Sequence, residues 1–275
     1  MRSQHDKMYK YDNKVNSNEE IKMLKQGLLS HWIDLHTLNK TLGHRNDIFR
    51  NVEDSFVLKY GEFKNQDIVL DVGSGDSTVP AFIRTKHSST VYVIDIDINM
   101  LESQKKYCSA LNCELNIEEQ DATNLKYPDE YFDKIIAISS IEHIPDDGDI
   151  YCAKEFSRVL KKGGKCLITV PFGDYEEIKN PWYYSGFERR YDLENLNKRL
   201  LSAPKMKIDK LLFLSTPETE FVHEVWEKVG NIFEMYYKGN YHITKDDISI
   251  GLTLGWIELT EVPRSSFGAL ICLTK

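Results

Sequence analysis

Acidic residues and glycines stand where two successive apolar runs of the sequence end. Asp71, Gly73 and Gly75 follow the first run, and Asp95 follows the second. Two closely spaced glycines allow a tight turn through which the backbone approaches a ligand. A carboxylate about twenty residues further along is suited to accept hydrogen bonds from ribose hydroxyls. This spacing predicts a nucleoside-binding site.

Polar residues also follow the third and fourth apolar runs. Asp121 and Ala122 come after the third run, and Ser139, Glu142 and His143 come after the fourth. Ligands of open α/β sheets bind beyond the carboxyl ends of the strands, so we expect these residues to line one crevice. His143 is the best candidate for a general base, with Glu142 as its partner. The alternative is that His143 only organises its loop.

The nucleoside could belong to a dinucleotide or to S-adenosylmethionine. A dinucleotide fingerprint has a third glycine, and Thr78 stands at that position here. The carboxylate of Asp71 would repel a pyrophosphate but would attract an amino group. S-adenosylmethionine has an amino group, a sulfonium and no phosphate, so the acidic strand ends favour it.

The elements that position these residues alternate between strands and helices. Apolar runs bounded by turn residues predict strands at 67–71, 91–94, 114–118, 134–139, 166–170, 210–214 and 267–273. Helical patterns separate the first three runs from one another and the fourth run from the fifth, which indicates a doubly wound, mostly parallel sheet. The helix before the fifth strand is expected to end at Gly163 and Gly164. We therefore predict an α/β fold with a seven-stranded sheet whose last strand is antiparallel.

Apolar residues spaced by three or four between Ile21 and Leu42 predict an amphipathic helix. We expect it to pack on its own domain, although the stripe could also join a partner chain. Residues 1–64 are thus predicted to be a helical extension ahead of a domain at 65–275. Within that domain, residues 175–191 are rich in tyrosine and tryptophan and are predicted to be a lid, and residues 215–262 to be an insertion.

The composition argues against several classes of protein. The chain has 35 basic and 43 acidic residues, and its net charge of -8 is unsuited to holding a nucleic-acid backbone. No apolar run approaches the roughly 20 residues that span a bilayer, and the polar N-terminus has no hydrophobic signal region. Five cysteines without a C-x-x-C pair favour reduced thiols, and no histidine has zinc-ligand spacing. We expect a cytoplasmic monomer or homodimer without a bound metal.

Five stretches of the sequence resemble, in order, the motifs of the class I S-adenosylmethionine-dependent methyltransferases. They are VLDVGSGDS (69–77), VYVIDIDINMLE (91–102), EEQDATNL (118–125), FDKIIAISSIEHIPD (132–146) and RVLKKGGKCLITVPF (158–172). An ordered set of this kind is far more specific than a lone G-x-G. Ser77 departs from the family pattern, which often has glycine there, and a small side chain should cost little.

The resemblance implies which residues hold S-adenosylmethionine. Asp71, Gly73 and Gly75 would surround its methionine part, and Asp95 would bind its ribose hydroxyls. Ser139 would lie beneath the sulfonium and its methyl group.

The resemblance also implies an adenine site. Ile96 would pack on the ring, Asp121 would accept from the exocyclic amine, and the backbone N–H of Ala122 would reach a ring nitrogen. For Ile96, simple packing in the core is an equal alternative.

Acceptor choice is expected to come from the lid, outside the shared motifs. Tyr183, Tyr184, Arg190 and Tyr191 are candidate acceptor-binding residues, because aromatic rings stack and arginine binds anions. Arg189 is more simply explained by a surface ion pair. The resemblance is to small-molecule enzymes, which favours a small acceptor methylated at oxygen, such as a sugar or another polyhydroxylated metabolite.

Some alternatives stay open. Asp146, Asp147 and Asp149 could bind a divalent ion, although a solvated loop before a helix explains them more simply. A nicotinamide-dependent oxidoreductase is disfavoured by the absent third glycine. A non-catalytic protein that binds S-adenosylmethionine, or serves as a scaffold, is not excluded, since methyl transfer requires no obligatory nucleophile in the protein.

Overall fold

Strands and helices alternate along the chain much as the apolar runs predict. The computed structural model describes residues 18–44, 48–179, 186–202, 204–215, 258–261, 263 and 266–275. The strands are β1 (Ile68–Val72), β2 (Thr90–Asp95), β3 (Asn116–Glu119), β4 (Phe132–Ile138), β5 (Leu160–Pro171), β6 (Glu176–Lys179), β7 (Phe187–Arg190), β8 (Lys207–Ser215), β9 (Glu258–Thr260) and β10 (Ser266–Thr274). The helices are α1 (Asn18–Leu42), α2 (Ile48–Gly61), α3 (Val79–His87), α4 (Glu102–Leu111), α5 (Gly148–Val159) and α6 (Leu193–Leu196).

The described strands other than β6 and β7 form one sheet in the order β3-β2-β1-β4-β5-β10-β8-β9. β1 to β5 are parallel, and β10 runs antiparallel between β5 and β8. This confirms the predicted α/β fold, in which seven mostly parallel strands include an antiparallel last strand. β9 pairs with β8 as an eighth strand and comes from within the predicted insertion. The strand order reverses between β1 and β4, which is where a ligand crevice is expected.

The boundary between α5 and β5 differs from the prediction. The sequence places the end of the helix at Gly163 and Gly164, but α5 ends at Val159 and β5 begins at Leu160. Gly163 has a φ of +76°, and its N–H donates to the carbonyl of Lys275 at 2.8 Å. The two glycines therefore make an irregular start to a strand rather than a helix cap.

The N-terminal helices share a core with the sheet. Leu28 and Leu35 of α1 and Phe56 of α2 are buried in one apolar cluster with residues of β1 and β4. Thr78, at the position of the absent third glycine, donates its hydroxyl to Asn39 of α1 at 2.5 Å. The apolar side chains of α1 that the structure describes thus pack on their own domain, as expected. A domain boundary at residue 64 stays a prediction.

The segment predicted to be a lid contains two short antiparallel strands outside the main sheet, here called the β6–β7 pair. Glu176 lies opposite Arg190 across this pair. Tyr183 and Tyr184 lie outside the described residues, as does most of the segment 215–262. Their predicted roles therefore stay predictions.

Candidate active site

Two cavities meet at the carboxyl ends of β1 and β4. The main cleft, of about 770 Å³, is lined by the segments that follow β1 to β4 and includes Asp95. The α2 cavity, of about 390 Å³, lies between α2, the ends of β1 and β5, and β10, and includes Glu53. Gly73, Gly75 and Ser139 line both cavities. A ligand that extends from one cavity to the other must pass these three residues.

In the glycine turn after β1, one glycine has no room for a side chain and the other faces open space. Gly73 and Gly75 have left-handed φ angles of +66° and +50°. A Cβ atom on Gly73 would lie 2.5 Å from the Cβ of Ser140, whereas one on Gly75 would meet no described atom within 4 Å. Gln104 of α4, which the sequence did not single out, is fully buried and donates to the carbonyls of Gly75 and Ser77 at 3.0 and 2.7 Å. These bonds hold the turn against α4.

The far wall of the main cleft combines carboxylates with an exposed apolar side chain. Asp95 accepts a hydrogen bond from the Asp97 N–H at 3.2 Å, and burial raises the pKa of Asp95. Ile96 is 64% exposed and lines the cleft, which excludes the core packing that was its alternative role. Asp121 and Ala122 stand beside it. This wall offers an apolar surface for a ring and oxygen acceptors for hydroxyl and amine donors.

Asp71 faces the α2 cavity and is almost completely buried, at 2% exposure. Burial raises the pKa of its carboxyl to about 7, although the Ser74 hydroxyl at 3.3 Å and the charge of Arg50 oppose this shift. A positively charged group bound nearby would stabilise the ionised form. The amino group of a methionine moiety is such a group, so the position suits the role that the resemblance implies.

Ser139, directly after β4, is hydrogen-bonded to a residue of α2. Its φ of +41° is unusual for a residue with a side chain, and its N–H donates to the carbonyl of Thr169 at 3.0 Å. Its hydroxyl donates to Oε1 of Glu53 at 2.8 Å, and Oε2 of Glu53 accepts from Arg50 at 3.0 Å. Glu53 and Arg50 were not predicted, because nothing in a helix at residues 48–61 indicates that it faces a strand end.

His143 and Glu142 occupy different environments. The Nδ1 of His143 lies 2.9 Å from the carbonyl oxygen of Phe187. A carbonyl only accepts, so Nδ1 carries the proton in this geometry. Nε2 lies 3.9 Å from Oε1 of Glu142, which is 1% exposed. Burial raises the pKa of Glu142 well above its ordinary value, and the charge of Glu53 adds to this. His143 lines the main cleft, whereas Glu142 is not among the described residues of either cavity. The catalytic roles of both stay predictions.

The charged residues of the β6–β7 pair differ from expectation. A surface ion pair for Arg189 is wrong, since its side chain is fully buried and Nη1 lies 3.2 Å from the Asp149 carboxylate. Arg190 is the partly exposed arginine, 3.6 Å from Glu176. Tyr191 is fully buried and donates its hydroxyl to Asp149 at 2.8 Å. Neither Arg190 nor Tyr191 belongs to the described lining of either cavity, so the structure does not support the acceptor contact predicted for them.

The three aspartates after β4 do not form a common site. Asp149 is fully buried, which excludes the solvated-loop interpretation for this residue, and its carboxylate pairs with Arg189 and Arg199. Within the described ranges, no group of three or more His, Cys, Asp or Glu residues is arranged to hold a metal ion. In the same ranges, no helix combines the length and apolarity needed to cross a bilayer.

The charge of the main cleft distinguishes between the two candidate ligands, a dinucleotide and S-adenosylmethionine. Four carboxylates line it, and none of its described lining residues is a lysine or arginine; the acids are Asp95, Asp121, Asp146 and Asp147. Asp147 pairs with Arg199 at 3.2 Å, but no lysine or arginine lines the described part of the cleft to offset the charge of a pyrophosphate. The adenosine of S-adenosylmethionine carries no phosphate. The cleft, the open space at Gly75 and the buried Asp71 therefore fit S-adenosylmethionine better than a nicotinamide dinucleotide.

Comparison with known proteins finds related methyltransferases. A family model for a methyltransferase domain matches residues 69–164. Phosphoethanolamine N-methyltransferase 3 of Arabidopsis thaliana is 35% identical over 101 residues, which make up 37% of this chain and only 20% of the plant protein. Demethylmenaquinone methyltransferase of Lactobacillus johnsonii is 26% identical over 225 residues, covering 81% of this chain and 84% of that protein.

A solved structure shares the fold over most of the chain. A putative sarcosine dimethylglycine methyltransferase from Galdieria sulphuraria superposes with a TM-score of 0.58 and 15% sequence identity, covering 82% of this chain and 85% of that one. The strand order, the ordered motifs and the matched domain lead to one assignment. The chain carries a domain of the class I S-adenosylmethionine-dependent methyltransferase family.

Proposed function

We propose that this protein transfers a methyl group from S-adenosylmethionine to a small-molecule acceptor bound in the α2 cavity. The observation that carries the proposal is the junction of the two cavities at Gly73, Gly75 and Ser139. A nucleoside in the main cleft would place its sulfur end at this junction. The methionine part of the cofactor would extend into the α2 cavity beside Asp71, and the acceptor would occupy the rest of that cavity beside Glu53 and Ser139.

The residues of the main cleft would bind and orient the cofactor. Asp95 would accept from the ribose hydroxyls, and Ile96 with Asp121 would hold the adenine. S-adenosylmethionine supplies, when bound, a methyl group on a positively charged sulfur, which is already a good leaving group. The protein mainly has to align the two reactants, and such alignment supplies up to roughly 7–11 kcal/mol of the barrier reduction.

The acceptor atom follows from the charge of the α2 cavity. The sequence favours oxygen, in a sugar or another polyhydroxylated metabolite. The cavity instead presents mostly carboxylates, of which Glu53 and Asp54 are buried at 9% and 3% exposure; its one lining arginine, among the described residues, is Arg50, which pairs with Glu53 at 3.0 Å. An amine that has released its proton to solvent attacks the methyl group through its lone pair, so that a C–N bond forms, the C–S bond breaks and the sulfur becomes neutral. The positive charge then lies on nitrogen, and nearby carboxylates stabilise it as it develops. We therefore propose an amine acceptor, in agreement with the matched N-methyltransferase; a hydroxyl acceptor would need a base such as His143.

Calorimetric titration with S-adenosylhomocysteine, the demethylated product, tests the cofactor assignment. The native chain should bind it, and Asp95→Ala should weaken binding by about 10- to 150-fold, the loss expected for hydrogen bonds to a charged group. Asp34→Ala, on the exposed side of α1, is the control and should bind like the native chain. Tight, saturable binding of NAD with no binding of S-adenosylhomocysteine would instead support an oxidoreductase.

Turnover distinguishes an enzyme from a binding protein. Incubation with methyl-labelled S-adenosylmethionine and a panel of small amines and sugars should transfer label to an amine. Label transfer to sugars alone would restore the oxygen assignment. Binding of the nucleoside without transfer to any member of a broad panel would favour the non-catalytic alternative.

A further inference from the structure

A buried charged cluster connects the β6–β7 pair to the start of α5. The carboxylate of Asp149 accepts from Nε and Nη2 of Arg199 at 2.9 and 2.7 Å and from the Tyr191 hydroxyl at 2.8 Å. Nη1 of Arg189 lies 3.2 Å from the same carboxylate. Asp149, Arg189 and Tyr191 are completely buried, and Arg199 is 8% exposed. These four residues are called the Asp149 cluster.

The arginines of the Asp149 cluster also hold one wall of the main cleft. Arg189 donates to the carbonyls of Ile144 and Asp146 at 3.2 and 2.7 Å, and Arg199 donates to the carbonyl of Asp146 at 2.5 Å. Residues 144–147, here the 144–147 loop, all line the main cleft. Asp146 has a φ of +56°, which is a disfavoured backbone conformation for a residue with a side chain. The two guanidinium groups therefore hold the loop in this shape.

A further hydrogen bond joins β7 to the segment that follows β4. The carbonyl of Phe187, on β7, accepts from Nδ1 of His143 at 2.9 Å. The guanidinium of Arg189 lies over the Phe187 ring, 5.0 Å from its centre. The β6–β7 pair thus contacts the segment after β4 both before and after the 144–147 loop.

We propose that Arg189 and Arg199 are positioning residues for the nucleoside, because they hold the 144–147 loop in the shape that lines the main cleft. The inference rests on the proposed function, since it takes the nucleoside of S-adenosylmethionine as the occupant of the cleft. The proposed coupling between the loop and the β6–β7 pair also acts in the reverse direction. A nucleoside that prefers the ordered loop must also stabilise the β6–β7 pair, since coupling between two parts of a protein acts equally in both directions.

Replacement of Arg199 by lysine tests the proposal. Arg199→Lys keeps the positive charge beside Asp149 but removes the planar fork that reaches both the carboxylate and the Asp146 carbonyl. Titration with S-adenosylhomocysteine should show Kd raised by about 5- to 30-fold, within the range of residues that modulate coupling between sites. The control is Lys165→Gln. Lys165 lies on β5, away from the carboxyl end of that strand, and pairs with Glu62 and Asp209 at 3.0 and 3.2 Å. It should lower the melting temperature but leave Kd within about twofold of native.

Amide hydrogen exchange is a second measurement. If Arg199 only stabilised the fold, the ligand would not change exchange in the β6–β7 pair. In the native chain, S-adenosylhomocysteine should slow exchange at the amides of Glu176–Lys179 and Phe187–Arg190, and in Arg199→Lys this slowing should be lost. An unchanged Kd in Arg199→Lys, or native exchange that does not respond to the ligand, would overturn the inference while leaving the proposed function standing. A native chain that does not bind S-adenosylhomocysteine would overturn both.

Discussion

The main cleft and the α2 cavity meet at Ser139 but are built from the chain in different ways. The main cleft is formed by short segments that directly follow β1 to β4, with residues such as Asp95 and Ala122 close to their strands. In the α2 cavity the partners are distant, since the Ser139 hydroxyl bonds to Glu53, 86 residues earlier. A site made of strand ends is encoded locally, whereas a site between a helix and a sheet is encoded by tertiary packing.

The carboxylates of the two regions also differ in exposure. Asp121 stands exposed in the main cleft, whereas Glu53, Asp54 and Asp71 in the α2 cavity are nearly buried. An exposed carboxylate can accept hydrogen bonds from neutral donors at little cost. A buried carboxylate is stabilised most by a positively charged partner. We therefore propose that the main cleft binds the neutral groups of adenosine and that the α2 cavity binds the amino groups of the cofactor and of the acceptor.

The largest effect is expected from filling the main cleft at Gly75. Gly75→Ala adds a methyl group to open space, and S-adenosylhomocysteine affinity should fall by about 5- to 150-fold, as for 1–3 kcal/mol of overpacking. Gly163→Ala is the matched control, because Gly163 is also left-handed and its Cβ would also meet no described atom within 4 Å. It lies at the start of β5, away from the cleft. Calorimetry should find native affinity in the control, and equal affinities in the two variants would mean that Gly75 does not face the nucleoside.

The second prediction concerns the charge of the α2 cavity. Glu53→Gln keeps an oxygen that can accept from the Ser139 hydroxyl but removes the negative charge. For an amine acceptor, steady-state kinetics should show kcat/KM reduced by about 10-fold or more, the loss of a charged interaction, while S-adenosylhomocysteine binding changes by less than about twofold. Glu62→Gln is the control, because Glu62 is itself mostly exposed and pairs with Lys165, away from the α2 cavity. An unchanged kcat/KM for the amine would refute the role of Glu53 in acceptor recognition.

The smallest effect is a pH dependence carried by Asp71. Burial raises the pKa of this carboxyl to about 7, compared with about 3.9 in an unfolded chain. Between these values the folded protein holds a proton that the unfolded chain has lost. The contribution of Asp71 to stability is thus complete below about pH 4 and is lost as the pH rises through about 7. Scanning calorimetry should find that the melting temperature of Asp71→Asn falls less between pH 5 and 8 than that of the native chain. Parallel curves would contradict the assignment.

The sequence predicted the part of the molecule whose residues are close together along the chain. The seven strands could be predicted from the apolar runs, and Asp95 and Asp121 from their positions shortly after two of those runs. Ile96 was predicted from the resemblance to the methyltransferase motifs. Gln104 was missed although a signal existed, since it is a polar residue within the apolar stripe of α4, between Leu101 and Cys108. Such a residue is often buried in order to bond to backbone groups.

Other features could not be predicted from local patterns. The burial of Arg189 depends on Asp149 and on the carbonyls of the 144–147 loop, and these contacts join separate parts of the chain. Adjacent arginines on a strand point to opposite faces, and the sequence alone did not show which face would be covered. The same reason applies to Glu53 of α2, whose contact with Ser139 no local pattern indicates.

The most direct test of the account is a crystal structure with S-adenosylhomocysteine, in which the position of the sulfur atom is measured. We expect adenine on Ile96, ribose hydroxyls on Asp95, and the sulfur at the junction beside Ser139, with the position that the transferred methyl group would occupy facing Glu53. A nucleoside bound outside the main cleft, or a sulfur that points away from the α2 cavity, would contradict it.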